Sequence, residues 1–146
     1  MGFLNGLSPQ TLALLRVIAG LCFMEHGAMK LLHFPAPFMG GMALTPLLTA
    51  AGVIELVGGA LIVLGLLTKP AAFIASGEAA VAFFGYHVLH VLGGSPPGAV
   101  VSIDPQVNGG VEVALYAVIF LYIASAGGGA FALDNLLGKK RGLEPS

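Results

Sequence analysis

Charge is scarce in this sequence. Only 9% of its 146 residues are Asp, Glu, Lys or Arg, against about 25% in an ordinary soluble domain, too few to coat a water-soluble globule. There is one cysteine, Cys22. The chain therefore has no intramolecular disulfide, no dithiol redox pair and no Cys-rich metal or iron–sulfur site of its own, and any redox role must borrow its electron carrier. Six Lys and Arg residues with no basic stripe exclude nucleic acid as a partner. The N-terminus lacks the positive segment of a signal peptide, and Gly6 stands where a myristoylation signal wants Ser or Thr, so the first apolar stretch is expected to stay as a membrane span.

What fills the chain instead is apolar: 57% hydrophobic residues, a mean hydropathy of +0.95 and 22 glycines. Lipid requires no charged exterior, and close helix contacts favour small residues. A helix crossing about 30 Å of hydrocarbon needs roughly 20 mostly apolar residues. Four such windows are predicted, at about 9–33, 46–67, 70–92 and 109–125, making residues 1–146 a single all-α membrane bundle. Ser8 followed by Pro9 reads as an N-cap with proline at the first helical position, and Gly127-Gly128-Gly129 as a helix stop. The two long loops, Phe34 to Thr45 and Gly94 to Asn108, are free of Lys and Arg, whereas the Lys69 turn and Lys139-Lys140-Arg141 hold four of the six basic residues. The positive-inside rule then puts both termini in the cytoplasm. Lys30 falls near the outer end of span one, where its stem can snorkel to the interface.

The ionisable residues inside the spans carry the chemical information, because each costs at least about 2.5 kcal/mol at the bilayer centre and must be paired, neutralised or turned inward. Arg16 and Glu78 fall on the cytoplasmic side at similar depth and are expected to form a structural pair. Glu25, His26, Glu55, His87 and Glu112 fall in the outer half, with Lys30 and His90 above them. Helical phase puts Glu55 with Gly52, Gly58, Gly59 and Ile62, Glu78 with Ala71, Ala75, Ala82 and Gly85, and Arg16 with Gly20, Gly27 and Lys30. The same phase sets His87 about 180° from Glu78 and Glu25 about 180° from Arg16. Three carboxylates and two histidines in one half exceed what mutual pairing needs, which outlines a polar cavity with titratable work to do. Glu112, in the first turn of its helix, is also explained by the helix dipole alone, and Tyr86 and Tyr116 by core or belt packing.

Three chemistries could use the outer group. A di-iron carboxylate centre has its glutamate on each helix but lacks Glu-x-x-His, and no metal is assigned. Bis-histidine haem ligation rests on His26 and His87 only. A quinone-like carrier needs a hydrogen-bonding histidine, a proton-exchanging acid and small residues leaving room for the ring, which fits best.

LLRVIAGLCF, EHGAMKLLHF, GVIELVGGALIVLGLLTKPAA, SGEAAVAFFGYH, NGGVEVALY and GGGAFALD together resemble the DoxX family of small four-span membrane proteins over essentially the whole length. The resemblance implies a prokaryotic inner-membrane, multi-pass protein described as an oxidoreductase or quinol-oxidase-related subunit. It also implies that Arg16, His26, Gly27, Lys30, Glu55, Glu78 and His87 are recurring family positions. Relatives often place the acid directly after Asn-Gly-Gly; here Val111 intervenes before Glu112, a rotation of about 100°.

The expectation is thus a membrane oxidoreductase component of a respiratory or redox-detoxification assembly. Glu55 and His26 would handle protons; His87, His26 and Glu25 would face the carrier. The bilayer is one partner, and a second copy or a redox subunit another. The alternatives are a non-catalytic accessory subunit, or a small-solute or proton-coupled permease.

Overall fold

A computed structural model describes residues 6–92 and 101–140, and among these the chain is entirely helical. Helix α1 is Ser8–Leu31, α2 Pro46–Leu64, α3 Thr68–Val88, α4 the single turn Pro105–Asn108, α5 Val111–Ala126 and α6 Leu133–Lys140. The first three long helices are apolar and long enough to cross a membrane. The fourth, α5, has 16 residues, about 24 Å at 1.5 Å per residue. Arg141 and residues 93–100 of the second long loop lie outside the described residues.

Several helix ends differ from the expectation. The residue preceding α1 is Leu7, without a side-chain cap; Ser8 is already helical and Pro9 occupies the first turn, where its missing N–H costs nothing. Helix α2 ends at Leu64, short of Leu67, because Gly65 adopts φ 69°. The N–H groups of Gly65 and Leu66 return to the carbonyls of Ile62 and Leu61, a Schellman ending that needs a residue tolerant of the left-handed region. Both α2 and α3 also contain a π-helical stretch, Ile54–Gly58 and Phe83–Val88. Such insertions were not legible as a break in hydropathy, and they advance the helix by less rotation per residue than an α turn does.

Two close helix pairs build the bundle, α1 with α2 and α3 with α5. Gly20 and Gly27 of α1 meet Gly52 and Gly59 of α2; a methyl at Gly27 would stand 2.4 Å from the Leu56 nitrogen, and one at Gly59 2.7 Å from Met24 Cβ. Of the glycines grouped with Glu55 by phase, Gly58 faces open space. The second pair meets through Ala72, Ala75, Ser76 and Ala79, with Ser76 Oγ donating to the Ala117 carbonyl at 2.7 Å. Phe23, Phe120, Ile62 and Ile123 fill the centre. Leu14, Ile18, Val57, Phe73, Val118 and Leu121 point outward, as a bundle surrounded by lipid requires.

Candidate functional site

At the lower end, where α2 turns into α3, Arg16 is 2% exposed and spends its guanidinium on backbone. Nη1 donates to the Ile62 and Val63 carbonyls at 2.6 and 2.5 Å, and Nε to the Gly128 carbonyl at 2.8 Å. These are carbonyls at the C-terminus of α2, where a cation also meets the negative end of the helix dipole. Asp134, from α6, completes the turn: its carboxylate accepts the N–H groups of Leu67 and Thr68, both at 2.8 Å, at the start of α3, and its own N–H donates to the Gly65 carbonyl. Partial burial works to raise the Asp134 pKa, but those hydrogen bonds, with Thr68 first, and the Arg16 charge outweigh it and hold the carboxyl below its usual value. Arg16 and Glu78 are therefore not brought together. The expected pair is replaced by capping of a helix end, because the Schellman turn leaves carbonyls within reach that only a long cationic donor can satisfy. Asp134 was not singled out as a partner from the sequence; the clue was an acid in the first turn of a short C-terminal helix following a glycine run.

The upper half is different. A cavity of about 540 Å³ lies among α1, α2, α3 and α5, in the size range of small-molecule sites. Its floor is aromatic: Phe23 packs edge-on to Phe120 and Tyr116 at 4.8 and 5.7 Å between centroids. Leu47 and Ile54 on α2 and Ile74, Gly77 and Val81 on α3 line its side. Leu47, Ile74 and Val81 are also exposed at the bundle surface, and α2 packs on α3 mainly from its π-helical stretch downward. The cavity thus opens sideways, between the upper parts of α2 and α3, where lipid would lie.

Three polar groups face this space. Lys30, expected to reach up to the interface, instead turns inward. It is 7% exposed, pairs with Glu55 Oε1 at 2.5 Å and lies 4.8 Å from the centroid of Phe38; the drive is pairing two charges that both sit at membrane depth. The Glu55 carboxylate keeps a second oxygen, Oε2, buried with no hydrogen-bond partner. Across the bundle, His26 Nε2 and Tyr116 Oη both meet Glu112 Oε1, at 3.1 and 3.0 Å. Val111 therefore does not keep Glu112 out of the site, and Tyr116 is more than a packing aromatic. Glu78 is the third, lining the cavity beside Glu55 and Lys30.

His87 also lines the cavity, its Nδ1 3.1 Å from the Asn108 carbonyl. The phase expectation that separated it from Glu78 by half a turn fails here because the π-helical end of α3 lags an α-helix in rotation, swinging His87 back toward the glutamate's side. Glu25 does not join the group. It is exposed on the outer face of α1, so the carrier-facing role expected of it has no support in its position. Among the described residues, no three His, Cys, Asp or Glu side chains are gathered to hold a metal ion.

Apolar helices of spanning length around a side-opening cavity with buried, paired ionisable groups are those of a helical membrane protein. The chain belongs to the DoxX family: the DoxX family model matches residues 11–88. It is also 43% identical over 142 residues to an uncharacterized protein of Haemophilus influenzae, a match covering 96% of this chain and all of that relative. No solved structure matches it. The family match takes in Arg16, His26, Lys30, Glu55, Glu78 and His87, whereas Glu112, Tyr116 and Asp134 lie beyond it.

Proposed function

We propose that this DoxX chain is a four-span protein of the prokaryotic inner membrane, with both termini in the cytoplasm, that binds a quinone-like carrier as one component of a membrane oxidoreductase. The observation that carries the reading is the side-opening, largely apolar cavity whose polar wall consists of titratable groups. Such a carrier, when bound, takes up or gives back electrons together with protons. The chain's part is to hold the carrier and move those protons. His26 hands a proton to Glu112, whose side chain is 58% exposed and so reaches the upper surface, with Tyr116 fixing the carboxylate. Glu55, held by Lys30, keeps a free oxygen at the cavity for a second exchange. His87, anchored by the Asn108 carbonyl, presents its other ring nitrogen to the carrier. The cytoplasmic placement of the termini rests on the positive-inside rule, and docking of α6 against the Leu67–Thr68 turn through Asp134 supports it by setting the start of that helix at the same end of the bundle as Lys69.

Purified protein in nanodiscs is expected to bind the decylubiquinone–decylubiquinol couple, and His26→Ala or His87→Ala to weaken binding of the quinol, whose hydroxyls can donate to the open ring nitrogens, about tenfold, the scale of one lost hydrogen bond. Absence of binding, with no bound chromophore, sinks the carrier reading.

The accessory-subunit reading has one observation of its own, Glu25 exposed within a spanning helix. A carboxylate on that face is costly against lipid and favoured against a partner's donor. It is compatible with carrier binding: a redox subunit or second copy would sit on the outer face of α1.

A further inference from the structure

Hydrogen-bond donors and acceptors around the cavity do not balance. Lys30 gives one of its three N–H groups to Glu55 and sets its ammonium against the Phe38 ring, Tyr116 donates to Glu112, and Tyr86 donates to Met39 Sδ at 3.7 Å. His87 Nδ1 faces a carbonyl, which can only accept, so that nitrogen carries the hydrogen and Nε2 of the neutral ring is left as an acceptor. His26, with Nε2 on the Glu112 carboxylate, is set the same way, leaving Nδ1.

Uncommitted acceptors remain on the other side of the account. Glu55 is 5% exposed and its Oε2 has no partner. Glu78, half-buried on the wall of the same cavity as Glu55 and Lys30, has no hydrogen-bond partner among the described residues. An unmet buried acceptor carries its full desolvation cost, and on a cavity wall the missing donor can come from what enters the cavity.

We infer that the site is built for a lipid-dissolved molecule whose head group donates hydrogen bonds to Glu55 and Glu78, a hydroxyl or an ammonium, and disfavours a head that only accepts them. Its apolar body lies along Leu47, Ile54, Ile74 and Val81 toward the side opening. Joined to the carrier reading, on which this choice of probe rests, the inference selects the reduced, dihydroxy form over the oxidised dione. Tighter binding of the reduced form raises the reduction potential of the bound carrier, so electrons arrive on it more readily than they leave.

Decylubiquinol, decylubiquinone and decylamine share one alkyl tail and differ in the head. Titrated anaerobically into the full chain in nanodiscs, the quinol is expected to bind at least about tenfold more tightly than the quinone. Glu78→Gln exchanges an acceptor for an NH₂ donor, so it is expected to weaken the quinol and strengthen the quinone. Loss of folding cannot move the two in opposite directions, and Glu55→Gln provides the same test if Glu78→Gln does not fold. Equal or tighter binding of the quinone overturns the inference and leaves the carrier reading standing. Decylamine bound with neither quinone form sustains the donor-head inference and removes the carrier reading. Binding of none of the three overturns both.

Discussion

The two ends of this bundle handle buried charge in opposite ways. At the lower end Arg16 and Asp134 direct their hydrogen bonds to backbone groups at the α2–α3 turn, packed against main chain and away from the cavity. In the upper half the charged groups pair across helices around open space and leave acceptors over. Both arrangements meet the demand that membrane-depth charges be paired, but only the second leaves unused capacity facing a volume another molecule could enter. A buried ion thus closes a helix end when its partners are main chain, and stays within reach of an entering molecule when its partners are side chains on a cavity wall.

The comparison breaks first at Arg16. Arg16→Ala would leave the Val63 and Gly128 carbonyls without that donor and is expected to cost about 3–5 kcal/mol, read as loss of folded protein in detergent unfolding followed by circular dichroism. The charge-swapped Arg16→Glu with Glu78→Arg should not recover stability, since the two side chains do not meet; recovery would return them to the role of a pair. Next in size is the helix contact that sets the cavity's wall. Gly27→Ala puts a methyl against α2 backbone and is expected to cost about 1–3 kcal/mol. Gly58→Ala, with nothing within 4 Å, should be neutral or gain up to about 1 kcal/mol of helix propensity. Thermal midpoints of the two variants, measured side by side, check the contrast.

The smallest effect is at Asp134. Asp134→Asn keeps the shape but loses the charge and one acceptor, costing about 1 kcal/mol, as for a helix cap. Because its folded pKa lies below the unfolded value of 3.8, its contribution is fully present above that pH and is lost as pH falls through the folded value. A Tm measured from pH 5 downward should therefore fall more steeply for the native chain than for Asp134→Asn.

Much of the fold was legible in the sequence because hydropathy and turn chemistry are local. Pro46 and Gly127 each act within a turn or two of their own position, so the start of α2 and the stop of α5 fall close to where the residues predict them, whereas the Gly65 turn ends α2 three residues before the expected Leu67. The glycine face of α1 was legible for the same reason, since Gly20 and Gly27 keep phase along a regular helix. Phase failed at His87, where a π-helical stretch changes the rotation per residue, and it could say nothing of how far Lys30 bends inward. Glu112 looked explicable by its own helix terminus, yet its partners, His26 and Tyr116, come from α1 and from the next turn of α5.

The sequence by itself determined that this chain is an apolar helical protein, where its helices begin and end to within a few residues, and which few ionisable groups had to be accounted for. Tertiary structure decided whom each group meets: Arg16 with carbonyls, Lys30 with Glu55, Glu112 with His26, and Glu25 with no part in the cavity. The reason is physical. Burial within a span obliges a charge to find a partner, a demand visible in one dimension, but the partner is selected by helix rotation, crossing and register, which emerge only when the helices pack.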